Sequence, residues 1–210
     1  MKNISILLFL SLLFSCQSPA PENGTKKETK VMEMPPVDQY FEEINVVKMH
    51  LFATSAAMPN AEEYPYSGNE LPEQALKYLN EELQPNGQGK VYACYRTENS
   101  GHYILRMPGK MAASELALAQ WDQAAGQLVK LMDLAYQRCN AGLCQQQDAW
   151  LADLDDSRTL ELIVRQCTRD DSGAVSDESF EVLTDDGTGH FIKTNEQLAS
   201  LAVKENYVMQ

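Results

Sequence analysis

Val91-Tyr92-Ala93-Cys94-Tyr95-Arg96 and His102-Tyr103-Ile104-Leu105-Arg106-Met107 stand on either side of Glu98-Asn99-Ser100-Gly101. Both runs are rich in aromatic and β-branched residues, and the connection ends in glycine. Such a pair reads as a β-hairpin. Downstream the pattern repeats. Leu116-Ala117-Leu118-Ala119-Gln120-Trp121 and Leu128-Val129-Lys130-Leu131-Met132 flank Asp122-Gln123-Ala124-Ala125-Gly126. The Ala, Leu and Gln content of Glu115 to Arg138 suits a helix, but the glycine-bearing break favours a second hairpin. Trp150-Leu151-Ala152-Asp153 with Leu160 to Arg165, and Phe180 to Thr184 with His190 to Lys193, predict two more.

Toward the N-terminus, Phe41 to Phe52 alternates loosely and predicts a first strand. The apolar spacing of Leu71, Ala75, Leu76, Leu79 and Leu83 is helical, with Pro72 in its first turn and Pro85-Asn86-Gly87 as its stop. Asn195 is placed to cap a closing helix over Glu196 to Val203. The expectation is an α+β single domain, rich in antiparallel β-sheet, with two short helices and a sandwich as the arrangement in view. It would occupy residues 37–210, a length of about 170 residues and enough for a real core. No repeat at a fixed period appears, which argues against a propeller.

Residues 17–36 are rich in Pro, Lys, Thr and Glu and poor in apolar side chains. Such a segment buries too little to offset its ordering entropy and is read as a tether. Before it, Lys2 precedes an apolar run from Ile4 to Phe14 that is shorter than a bilayer-spanning helix. Leu13-Phe14-Ser15-Cys16 closes the run, and it resembles the lipobox of bacterial lipoproteins. That resemblance implies a signal peptide over 1–15 and a lipidated Cys16, palmitate-type acyl chains included. A single acyl chain holds weakly, at about 0.8 kcal/mol per buried methylene, so two or three anchor stably. Residues 16–36 would then be the anchor and tether. Gln17 lacks the Asp that retains some lipoproteins in the inner membrane, which implies an outer-membrane, periplasm-bounded location in the cell envelope. The layout as a whole resembles small lipoproteins of Bacteroidetes, a group whose function is undefined.

The net charge is −13, which excludes nucleic acid as a natural partner and opposes basic docking on anionic lipid. Partners are expected to be the membrane, through the anchor, and a protein or glycan of the envelope. Cys94, Cys139, Cys144 and Cys167 remain once Cys16 is set aside. Their even number in an exported chain predicts two disulfides, a local Cys139–Cys144 staple and a long-range Cys94–Cys167 bridge. The histidines lie far apart in sequence from one another and from any close cysteine pair, so a zinc site is not expected.

One loop carries possible chemistry. Asp153-Leu154-Asp155-Asp156-Ser157-Arg158-Thr159-Leu160-Glu161 lies between two predicted strands. It resembles the calcium loops of FG-GAP and VCBS repeats. The resemblance implies carboxylate ligands from Asp153, Asp155 and Glu161, a hydroxyl or water contact at Ser157, and a backbone carbonyl at Thr159. Arg158 stands where that family has Gly, and Ser157 where it has Asp. The competing reading is a plain hairpin that keeps the loop's shape. No HExxH, GxSxG or phosphate-loop pattern occurs, and Trp121 and Trp150 read as core rather than as a sugar platform. The first expectation is a lipid-anchored, non-catalytic binding or structural module with no cofactor. Calcium-dependent adhesion or ligand binding is the second, and an envelope or glycan hydrolase the third.

Overall fold

The structure is a computed structural model, and it describes residues 35–45, 48–53, 66–85, 87, 89–98, 101–109, 114–157 and 159–195. The predicted signal peptide, Cys16, the tether up to residue 34, Asn99 and Ser100, Arg158 and the closing helix over Glu196 to Val203 lie outside the described residues. Among the described residues no helix is long and apolar enough to cross a membrane.

The described chain is nearly all β. Its strands are β1 (Glu42–Ile44), β2 (Lys48–Leu51), β3 (Asn69–Glu70), β4 (Tyr92–Thr97), β5 (His102–Pro108), β6 (Ser114–Asp122), β7 (Gln127–Asn140), β8 (Leu143–Ala152), β9 (Glu161–Asp170), β10 (Val175–Asp185) and β11 (Phe191–Lys193). They form one continuous sheet in the order β1-β4-β5-β6-β7-β8-β9-β10-β11, with β3 added to β4 and β2 added to β8. Every pairing is antiparallel except the parallel β1–β4 contact. The four hairpins and the richness in antiparallel sheet read from the sequence are therefore present, whereas the helical part is smaller than the α+β expectation: among the described residues it is one short α-helix and two 3-10 turns.

The fourteen-residue β7 divides the sheet into two leaves. Its first part, up to Ala135, pairs with β6, and its last part, Tyr136–Asn140, pairs with β8. The β6–β7 register slips twice, leaving Leu131 and Leu134 as extra residues in β7. Bulges of this kind bend a strand and let it pass from one sheet to another. The slot beside β8 that β7 vacates is taken by β2, whose Leu51 pairs with Ala149. One apolar core joins the leaves, with Cys94, Ile104, Leu116, Leu118 and Leu134 from the first and Leu51, Ala149, Leu151, Leu162 and Val164 among those from the second. Alternation sends Ala93, Leu105, Ala117 and Ala119 to the opposite face of the first leaf, where Val37, Phe41, Leu71, Ala75, Leu79 and Leu83 cover them.

That cover is not the helix the spacing predicts. The segment holds a four-residue α-helix, α1 (Glu73–Leu76), and a 3-10 turn at Glu81–Leu83. Between them the backbone turns aside to β7: the Leu128 N–H donates to the Tyr78 carbonyl at 2.6 Å, and the Asn80 N–H donates to the Leu128 carbonyl at 2.9 Å. A helix of three turns is marginal on propensity alone, and these sheet bonds claim its middle. The apolar residues still reach the core.

The cysteine expectation is half corrected. Cys139 and Cys144 are bridged, directly opposite each other across the two-residue turn Ala141-Gly142. Cys94 and Cys167 are instead free, buried thiols. Four strands separate β4 from β9 in the sheet. Cys94 points into the inter-leaf core, with its Sγ 3.2 Å from the Tyr66 carbonyl. Cys167 alternates with Leu162 and Val164 and so faces the other side of its leaf. Facing opposite sides, the two sulfurs have no common space in which to meet.

Candidate functional site

β8 ends at Ala152, which pairs with Glu161 at the start of β9. The loop between them is built by local hydrogen bonding. Asp155 Oδ1 accepts from the Ser157 N–H at 3.0 Å, and Ser157 Oγ accepts from the Thr159 N–H at 3.1 Å. Such side-chain turns are the ordinary work of Asp and Ser in tight connections. Asp156 takes the left-handed conformation, with φ of 57°, which short polar residues tolerate best after glycine. The loop is pinned by Leu154, which packs against the small apolar cluster of Trp150, Ala152, Ile163 and Val182.

Three of the five predicted ligands are brought together. Asp153, Asp155 and Glu161 each offer a carboxylate oxygen, and these lie within 4.8 Å of one another. Glu161 is fully buried, at 0 % exposure. Its Oε2 accepts from the Leu154 N–H at 2.8 Å, while Oε1 is buried with no hydrogen-bond partner. Burial pushes the Glu161 carboxyl above its usual range, and the neighbouring Asp155 and Asp153 push it further the same way. A cation at this point would reverse all three effects. Calcium binds oxygen at about 2.3–2.6 Å, so two ligands of one ion stand up to about 5 Å apart, and the observed spacing falls inside that limit. Ser157 and Thr159 are seen in a different role, shaping the turn through their own hydrogen bonds. Asp156, which carries the loop's left-handed turn, was not among the predicted ligands.

A second polar group, not foreseen from the sequence, lies beside this loop on the same face of β8 and β9. The His50 ring stacks on Trp150, 4.5 Å between centroids and 5° between planes. Burial lowers the His50 pKa. Asp148, 1 % exposed, accepts from the Gln146 amide at 3.3 Å, and burial raises its pKa. Arg165 pairs directly with Asp148 in the register, yet its Nε donates to Glu178. The only sequence signal for this group is the polar run Gln145-Gln146-Gln147-Asp148 in β8, which reads equally well as solvated surface.

At the far edge the β10–β11 turn closes onto the first leaf. His102, 1 % exposed, makes a 2.9 Å hydrogen bond between Nε2 and the Gly189 carbonyl, and its ring lies against Phe191. Gln120 donates to the Thr188 carbonyl at 3.1 Å. Burial lowers the His102 pKa against the weaker opposing influences of the Gly189 carbonyl and Asp185. Asp185-Asp186-Gly187-Thr188-Gly189 is thus the turn of the fourth predicted hairpin, with both aspartates accepting backbone N–H groups.

Compared with family models, curated proteins and solved structures, the chain matches none.

Proposed function

We propose that this chain is a lipid-anchored, non-catalytic binding module of the cell envelope whose β8–β9 loop holds one Ca²⁺. The observation that carries the calcium reading is the convergence of Asp153, Asp155 and a fully buried Glu161 with one unpartnered oxygen. A buried, uncompensated carboxylate costs several kcal/mol unless it is paired, protonated or bound to a metal. All-oxygen donors on a turn suit a hard cation, and the chain's charge of −13 favours one. The anchor and envelope location rest on Leu13 to Cys16 and the polar tether after it. In this reading the ion is structural: it ties the start of β9 to the end of β8, and the leaf so held presents the binding surface.

The test is a thermal melt of the full chain in detergent micelles, with excess Ca²⁺, with chelator, and with Mg²⁺ as control. A ligand at a hundred times its dissociation constant adds about 2.7 kcal/mol, several degrees for a domain of this size. A Ca²⁺-specific rise that Asp155→Asn removes is the expected result. Equal melting in all three conditions would leave the loop as a plain hairpin connection.

A further inference from the structure

The apolar core along β8 ends at Gln147, whose amide donates to the Asp133 carbonyl and whose Oε1 accepts from Gln166 at 2.9 Å. Strands β7 to β10 run on past that point. Their core-facing side, with no apolar layer left to meet, becomes an open groove of about 720 Å³ lined by Arg138, Asn140, Leu143, Gln145, Thr168 and Asp177. This volume lies within the range of small-ligand sites.

Its lining is rigid below and unspent above. Arg138 is fixed by Glu115 through Nε at 3.0 Å and Nη2 at 2.6 Å, and its guanidinium lies 4.0 Å from the centre of the Tyr136 ring. The Cys139–Cys144 bridge holds the two strands of the floor together. By contrast, the side chains of Asn140, Gln145 and Thr168 make no hydrogen bond to other described residues. Asp177 sits at the β10 bulge between Ser176 and Ser179 with φ of 48°. A bulge and a left-handed non-glycine residue beside a cavity re-aim a side chain at some cost. Leu143, 55 % exposed, adds an apolar contact.

We propose that this groove binds a neutral saccharide. The assignment rests on the reading of the chain as a binding module and names what the module takes. Amide and hydroxyl groups offer donors and acceptors in equal measure, Arg138 adds a donor, and Asp177 adds an acceptor strong enough for a pair of hydroxyls. A ligand that answers all of them carries many hydroxyls at fixed spacing and an apolar ring face for Leu143. Phosphorylated and polyanionic ligands are disfavoured by Asp177 and by the protein's charge.

The full chain, in a detergent without a sugar headgroup, would be titrated with cellotetraose, chitotetraose and maltotetraose, and separately with an end-capped glycine–serine pentapeptide. Saturation-transfer NMR reads the binding. At least one saccharide should bind with a Kd of about 1 mM or tighter, and Gln145→Ala/Asp177→Gly should weaken it about tenfold or more without changing the melting temperature by more than about 2 °C. Glycine at 177 is at ease in the left-handed backbone conformation and removes the carboxylate with its methylene. Binding that the double variant leaves unaltered would overturn the site while leaving a binding module. Peptide binding without saccharide binding would overturn the ligand class. No saccharide binding overturns the proposal, and the calcium melt, which reads a different loop, decides the module's metal separately.

Discussion

Glu161 is the residue on which the acidic loop turns. It is buried, one oxygen has no partner, and two aspartates stand beside it. Glu161→Gln removes the charge and keeps an acceptor for the Leu154 N–H. Without calcium this variant should be more stable than the parent at neutral pH by about 1–2 kcal/mol, because the unpaired buried charge is gone. It should also lose any response to Ca²⁺. Chemical denaturation with and without the ion checks both, and a variant less stable than the parent in chelator would refute the argument. His102 gives the pH signature. Its folded pKa is lowered by burial, so the unfolded chain takes up a proton first. The stability is fully present above about 6.5 and is lost as pH falls from there through the lowered folded value. His50, lowered for the same reason, acts in the same direction. His102→Gln should flatten part of this slope in melts recorded between pH 7.5 and 5; an unchanged slope would exclude His102 as a source. Gly68 has no room for a side chain against fixed backbone: φ is 63° and a Cβ would lie 2.6 Å from the Ala93 carbonyl oxygen. Gly68→Ala should cost about 2 kcal/mol or more by denaturant unfolding.

At the scale of elements, the hairpins were legible because alternation and a glycine-bearing turn are local signals. β6 was harder to read for a physical reason. Leu116 and Leu118 face one core and Ala117 and Ala119 the other, so the strand is apolar throughout and has no period to show. The segment from Leu71 to Leu83 misled in the opposite sense. Its spacing is helical and its apolar residues are buried, but bonds to Leu128, far away in sequence, break the helix. Of the candidate site, the three carboxylates were legible through the loop's resemblance to FG-GAP and VCBS calcium loops, whereas Asp156's role as the left-handed residue depends on the path of the turn. The free thiols show the limit of counting cysteines: parity says nothing about which face of a strand each occupies. The bridge that does form spans a short loop already held by sheet hydrogen bonds. Cys139→Ser/Cys144→Ser should therefore lower stability by only about 2–3 kcal/mol and leave the protein folded. Loss of folding at 25 °C, read by far-UV circular dichroism, would show that the staple does more than close a hairpin.

On the scale of the whole molecule, the bend in β7 makes the leaves interdependent, since one strand supplies an edge to each and a single core lies between them. Unfolding should be one transition, with tryptophan fluorescence, which samples Trp121 in the first leaf and Trp150 in the second, coinciding with circular dichroism. Separate midpoints would mean that the leaves come apart independently. The position of β2 has a consequence for assembly in time. β1 joins the first leaf, and β2, a few residues later, joins the second beside β8. A ribosome delivers β2 early, yet its partner in β8 emerges about a hundred residues later, so this contact has among the longest sequence separations in the sheet. Until Ala149 to Ala152 arrive, the edge of β2 is open to wrong pairings. One of the first strands to be made thus has its place in the sheet only once a strand made about a hundred residues later has arrived.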